Sequence, residues 1–223
     1  MTAIDLISRV LFRDNNLIIL DKPAGLAVHA GPKTSENLES MLGDLSFGLR
    51  QPPRLAHRLD RDTSGCLVLA RHDKALVRLG RLFTAHQVLK TYWAVVKGRP
   101  DAAFGRIELS LKKVSNQTGW RMIADAGGKA AVTEWSLCGA DSQAAWLEMR
   151  PLNGRTHQIR VHCASGLGCP ILGDPIYGTS SGEPMHLFAR SITIPYRADQ
   201  PPIVVEASPP PHMLARLSGL KKA

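Results

Sequence analysis

The sequence predicts an α+β fold, a mixed and largely antiparallel sheet in two lobes flanked by a few helices. Three observations lead there. Strand-type runs dominate the chain, helical stripes are few and scattered, and the βαβ alternation of a doubly wound parallel sheet is absent. At 223 residues the chain can build one good core or one elongated domain. No Gly/Ser-rich linker divides it, so residues 1–223 are read as a single catalytic domain.

The elements follow in order. Val10–Phe12 and Leu17–Leu20 flank Asp14-Asn15-Asn16, the pattern of a hairpin with a polar turn. Asp21-Lys22-Pro23-Ala24-Gly25 then breaks the strand, because Pro lacks a donor and Gly permits unusual dihedrals. Leu38, Met41 and Leu42 have helical spacing. Cys66–Ala70 is strand-like, and Asp73–His86 carries a helical stripe of Leu76, Leu79 and Phe83 with Lys74, Arg78 and Arg81 beside it. That stripe is read as core. Thr91–Val96 is a strand closed by Lys97-Gly98, and several short β-type runs separated by turns lie between Ile107 and Met149. Residues 112–129 are read as a hairpin that could grip a partner, or equally as a plain surface loop. Thr156 is placed to cap a short helix that Gly166 ends, with His157 and Arg160 on one face. Ile192–Ile194 and Ile203–Ala207 read as closing strands around a Pro-rich turn.

Composition narrows the class of function. Lys and Arg number 28 against 19 Asp and Glu, and this net charge of +9 suits a polyanionic partner. Arg54, Arg58, Arg61, Arg155 and Arg160 lie in or beside two dense polar clusters, and arginine grips phosphate bidentately and stacks on bases. No apolar run is long enough to cross a bilayer, so no membrane association is expected. No secretion signal is read at the N-terminus, so the expected compartment is the cytoplasm. Cys66, Cys138, Cys163 and Cys169 form no CxxC pair and match no common zinc spacing, so reduced structural thiols are expected and no metal site.

The first cluster, His57-Arg58-Leu59-Asp60-Arg61-Asp62-Thr63-Ser64-Gly65, sets carboxylates among cations and runs straight into an apolar strand, a rigid support for a reactive group. Asp60 is the candidate carboxylate, with Arg160 of the second cluster, Gly154–His162, as the cation expected to keep it ionised. Asp62, two positions on, would face the opposite side of an extended segment, which disfavours a two-carboxylate hydrolase. Asp174, in Gly173-Asp174-Pro175, reads as a turn residue. His57 and His157 are candidate acid–base groups, though a packed, hydrogen-bonded histidine is the commoner case. There is no phosphate-binding GxxxxGK[ST], dinucleotide fingerprint, HExxH or GxSxG, so no cofactor is expected. Residues alone lead to an RNA- or phosphate-directed enzyme with one key aspartate.

Four blocks in order resemble the RluA-type family of RNA pseudouridine synthases: Asp21–Gly25, His57–Gly65, Lys90–Gly98 with its Lys-x-Tyr-x-Ala-x-Val-x-Gly pattern, and Gly154–His162 followed by Pro170–Asp174. The resemblance implies the pseudouridine synthase fold with an active-site cleft across its middle. It implies that Asp60 acts at C1′ of a flipped uridine, that Tyr92 stacks on the uracil, and that Arg160 pairs with Asp60. It also implies that Arg58 enters the vacated RNA stack, with Arg61, Arg155 and His157 as further RNA contacts. The expected substrate is a stem-loop of rRNA or tRNA. The stretch before the first block, Met1–Arg9, is too short for a separate RNA-binding domain, and a monomer without an obligatory protein partner is expected.

Overall fold

The computed structural model describes residues 4–31, 36–117, 119–179 and 182–222. In chain order the elements are β1 (Val10–Arg13), β2 (Leu17–Lys22), α1 (Leu38–Met41), β3 (Arg54–Leu55), β4 (Ser64–Ala70), α2 (Asp73–Thr84), β5 (Leu89–Lys97), β6 (Phe104–Asn116), β7 (Gly119–Ala124), β8 (Lys129–Ala140), β9 (Ala144–Pro151), α3 (Gln158–Val161), β10 (Leu187–Ile194), β11 (Ile203–Glu206), α4 (Pro211–Ser218) and β12 (Lys221–Lys222). The α+β expectation holds, with mostly antiparallel strands and few helices. The chain divides into two compact units: Met1–Lys90 with Ala189–Ser208, and Thr91–Phe188 with Pro209–Ala223. No helix among the described residues is long and apolar enough to cross a membrane.

In the first unit, β2 pairs antiparallel with β1 and β4, β3 pairs with β4, and β10 pairs with β11. The β1–β2 turn forms as its polar residues suggest: the Asp14 carboxylate accepts from the amides of Asn16 and Leu17 at 2.7 and 2.8 Å. All seven residues of β4 are buried. Leu67, Val68 and Leu69 are wholly enclosed, each contributing about 1.5–3 kcal/mol of transfer free energy. This strand continues directly from the Asp60 loop and anchors it. α2 starts where His72 Nδ1 caps the amide of Ala75 at 3.1 Å, and it buries Ala75 and Leu79 while Arg78 and Arg81 stay exposed.

In the second unit the strand order is β5-β9-β8-β6-β7, with β12 on β8. Its core gathers Ala94 and Val96 of β5, Leu147 and Met149 of β9, Trp135 of β8, and Ile159 and Cys163 of the α3 region. The 112–129 segment is the predicted hairpin: Lys113 faces Met122 and Ser115 faces Trp120 in an antiparallel register. One local expectation fails and one helix is unanticipated. Thr156 does not cap α3. The residue before the helix is His157, in the left-handed region at φ 53, and it caps nothing with its side chain. Helix α4, with Pro211 at its first turn and Met213 buried, has no counterpart in the sequence reading.

Candidate active site

The loop carrying Asp60 belongs to the first unit and is held by a buried lysine. Lys22 is 0% exposed, and its ammonium donates to the carbonyls of Pro23, Leu26 and Arg61 at 2.7, 2.9 and 2.9 Å. Three carbonyls match the three protons of an ammonium, so the group is saturated. The Gly25 amide donates to the same Arg61 carbonyl at 3.0 Å, and Gly25 sits at φ +84, where a side chain would be strained. Asp21–Gly25 is therefore a clamp on the Asp60 loop. Burial pushes Lys22 down to about 7, while the charges of Asp62, Asp60 and Asp21 pull it the other way.

Residues 60–63 form a turn, with the Thr63 amide donating to the Asp60 carbonyl at 3.2 Å. The extended geometry expected for Asp60 and Asp62 is thus replaced by a tight bend, and alternation of faces does not apply there. Asp62 is bound side-on by Arg61, Nε to Oδ1 at 3.0 Å and Nη2 to Oδ2 at 3.1 Å. Asp60 itself is half-buried, and Arg58 is exposed beside it. His57 takes the quieter of its two roles. Its Nε2 accepts the amide proton of Val68 at 3.0 Å, and burial together with the Lys90 charge lowers it to about 3, so it is a neutral brace for β4.

The second cluster lies in the other unit. Arg160 is 3% exposed and grips Asp174 in a bidentate pair, Nε to Oδ2 and Nη2 to Oδ1, both at 2.7 Å. Asp174 is a turn residue as expected, since its Oδ1 also accepts from the amides of Ile176 and Tyr177 at 2.9 and 3.1 Å. Burial alone would raise this carboxyl, but the Arg160 hydrogen bonds and charge reverse that, aided by the two amides, and hold it below its ordinary value. The turn tolerates no side chain at Gly173, which sits at φ +71 where a Cβ would collide with the Pro184 carbonyl.

Around this pair an aromatic group assembles. The Arg160 guanidinium lies 5.1 Å from the Tyr177 ring centroid, Tyr177 meets His157 edge-on at 5.6 Å, and His157 stacks on Trp120 at 4.9 Å. Tyr177 Oη lies 2.8 Å from His157 Nδ1 and accepts from the Met122 amide at 2.9 Å. Arg155 is exposed, with its Nε donating to the Ala130 carbonyl at 3.3 Å. Tyr92 is half-buried on β5, opposite Met149, and packs against the core of this unit.

The first unit also presents an open groove of about 550 Å³ lined by Lys74, Arg78, Arg81, Arg197, Asp199 and Tyr196, among others. Arg78 stands 5.1 Å over the Tyr196 ring, and Asp199 is held by Arg197. With Arg197 paired to Asp199, Lys74, Arg78 and Arg81 leave this groove a surplus of positive charge.

Sequence reasoning missed Lys22, the Arg160–Asp174 pair and the Trp120–His157–Tyr177 group. A lysine one residue beyond the apolar run Leu17–Leu20 and directly before Pro23 was the available signal for the first. Trp120 in a basic hairpin was the signal for the last.

Comparison with known proteins gives the same family throughout. A family profile described as RNA pseudouridylate synthase matches residues 16–165. An uncharacterized RNA pseudouridine synthase of Zymomonas mobilis is 47% identical over 92% of this chain and 95% of its own length. Ribosomal large subunit pseudouridine synthase C of Rickettsia conorii is 35% identical over 94% of this chain and 70% of its own. Other relatives are longer, and the chain spans between 46% and 61% of three of them. Among solved structures, human RNA pseudouridylate synthase domain containing 4 superposes with a TM-score of 0.81 at 27% identity, covering 96% of this chain and 93% of that one.

Proposed function

The chain belongs to the RluA-type RNA pseudouridine synthase family, and from that premise we propose that it isomerises uridine in a structured stem-loop of rRNA, or of tRNA, with Asp60 as the catalytic carboxylate. The observation that carries the reading is the mounting of the Asp60 loop: a half-buried carboxylate on a turn locked by a buried lysine and continuous with a fully buried strand. Catalytic groups need such rigidity, because small misplacements of a reacting atom cost large factors in rate.

In this mechanism the target uridine leaves its stack, and the unstacking cost is offset by contacts to the backbone and the base. Asp60 acts at C1′ as the N-glycosidic bond breaks. The uracil turns, C5 joins C1′, the C5 proton leaves and N1 takes up a proton, so that the product is an isomer of uridine. No water is activated, so a second carboxylate of the kind a hydrolase needs has no task. Tyr92 stacks on the uracil and is the candidate for removing the C5 proton. Arg160 is the partner we propose for Asp60, and its bidentate hold on Asp174 fixes the orientation of its guanidinium. Arg58, exposed, enters the space the base has left, and Arg61, Arg155 and His157 add RNA contacts. The name of the Rickettsia relative, which specifies the large ribosomal subunit, favours rRNA over tRNA.

The test is a pseudouridine map of rRNA and tRNA from cells with and without the gene. A site lost on deletion and restored by the wild-type chain but not by Asp60→Asn is the expected result. Restoration by Asp60→Asn would overturn the role given to this residue, and release of free uracil would point to a hydrolase instead.

A further inference from the structure

The β6–β7 hairpin carries a feature that uridine isomerisation does not require. Residues 111–124 contain Lys112, Lys113 and Arg121 and no carboxylate, and Trp120 near the tip is 42% exposed. Trp120 is braced from within, since His157 stacks on it with an interplanar angle of 24° and a centroid separation of 4.9 Å. His157 is braced in turn by Tyr177. That hydroxyl accepts the Met122 amide proton and lies within hydrogen-bond distance of His157 Nδ1. The indole thus rests on a ring held in a fixed orientation. Lys113 Nζ stands 4.7 Å from the Trp120 centroid. An exposed cation–π contact on a flexible stem is weak and readily displaced.

We propose that Trp120, seated on His157, is a stacking platform for an unpaired base flanking the target uridine, with Lys113, which shares its face of the hairpin, taking an adjoining phosphate. This rests on the RNA substrate argued above and names a specificity determinant for it. A planar, preorganised aromatic surface with a cation beside it is the chemistry that recognises single-stranded nucleic acid. Its contact path to Arg160, through His157 and Tyr177, places it in the same unit as one of the site residues. The left-handed backbone at His157 turns that ring toward the hairpin, a geometry that a helix-interior histidine would not have.

The experiment compares the wild-type chain, Trp120→Ala and Trp120→Phe on total rRNA and total tRNA from cells lacking the gene. Trp120→Ala is expected to lower kcat/KM by about five- to a hundredfold, through KM, with kcat at saturation within about twofold; Trp120→Phe, which keeps a ring, is expected to stay within about threefold. In the Asp60→Asn background, RNA is expected to quench indole fluorescence in the chain with Trp120 and much less in Trp120→Phe, a readout independent of turnover. Undiminished kcat/KM in Trp120→Ala, equal damage from Ala and Phe, or equal quenching with and without Trp120 would overturn the platform. Absence of any pseudouridine from the wild-type chain, with the quenching difference intact, would instead overturn the enzymatic reading and leave the platform standing.

Discussion

The ammonium of Lys22 donates to the carbonyl of Arg61 at 2.9 Å across thirty-nine residues of sequence. This one bond joins the strand-breaking segment after β2 to the loop that presents Asp60. It explains why a lysine is tolerated with no exposed surface: all three of its protons are used, and nearby carboxylates compensate its charge.

The first prediction concerns this clamp and pH. Above about 7 the buried ammonium deprotonates, one carbonyl loses its donor, and the Asp60 loop loosens. The sign for stability is opposite. The folded value lies below the ordinary 10.5, so between about 7 and 10.5 the unfolded chain binds more protons, and this group makes unfolding costlier as pH rises. Single-turnover rates should therefore fall from about pH 7 upward while this group causes no parallel drop in Tm. A rate flat between about pH 6 and 9 would contradict the clamp.

Lys22→Met removes the charge and one donor from each of three carbonyls, of which that of Arg61 keeps the Gly25 amide. An expected loss of about 3–5 kcal/mol in urea unfolding follows from leaving buried polar groups unpaired. Arg61→Ala keeps the carbonyl and should cost under about 1 kcal/mol, since its exposed pair with Asp62 contributes little.

Asp60→Asn should cut turnover by about 10²–10⁴-fold or more while RNA affinity changes little, the pattern of a group that acts in the transition state. Filter binding beside single-turnover kinetics separates the two effects.

Arg160→Met strands the Asp174 carboxylate with 0% exposure, and a loss of about 3–5 kcal/mol is expected. The pair also sets an acid limit. The Asp174 value in the fold lies below its ordinary 3.8, so its contribution is complete above that pH and disappears as pH falls through the folded value. Acid unfolding of Asp174→Asn should lack this component.

Neutralising the groove cations as Arg78→Gln with Arg81→Gln should weaken RNA binding and reduce the slope of log affinity against log salt by about 1–2. An unchanged slope would place the phosphate contacts elsewhere.

Much of the architecture is legible locally. The Asp14 turn, the buried run of β4 and the stripe of α2 each follow from spacing and turn chemistry that act within a few residues. The long-range partnerships are not. Asp174 reads as a turn residue, and so it is, but its bond to Arg160 depends on how α3 lies against residues fourteen positions later. Lys22 in an extended segment suggests a solvated end, and only its three carbonyl partners show why it is buried. Thr156 carries an ordinary capping signal, overridden because His157 adopts positive φ and turns toward Trp120 and Tyr177. Helix α4 begins at Pro211, and proline suits a first helical turn.

Gly173 bears no chemistry of its own, yet the backbone oxygen of Pro184 leaves its α-carbon without room for even a methyl group. A mutational scan should find this position as intolerant as the charged pair it abuts. Variation there would damage the enzyme silently, from behind, by prising a carboxylate out of reach of its guanidinium.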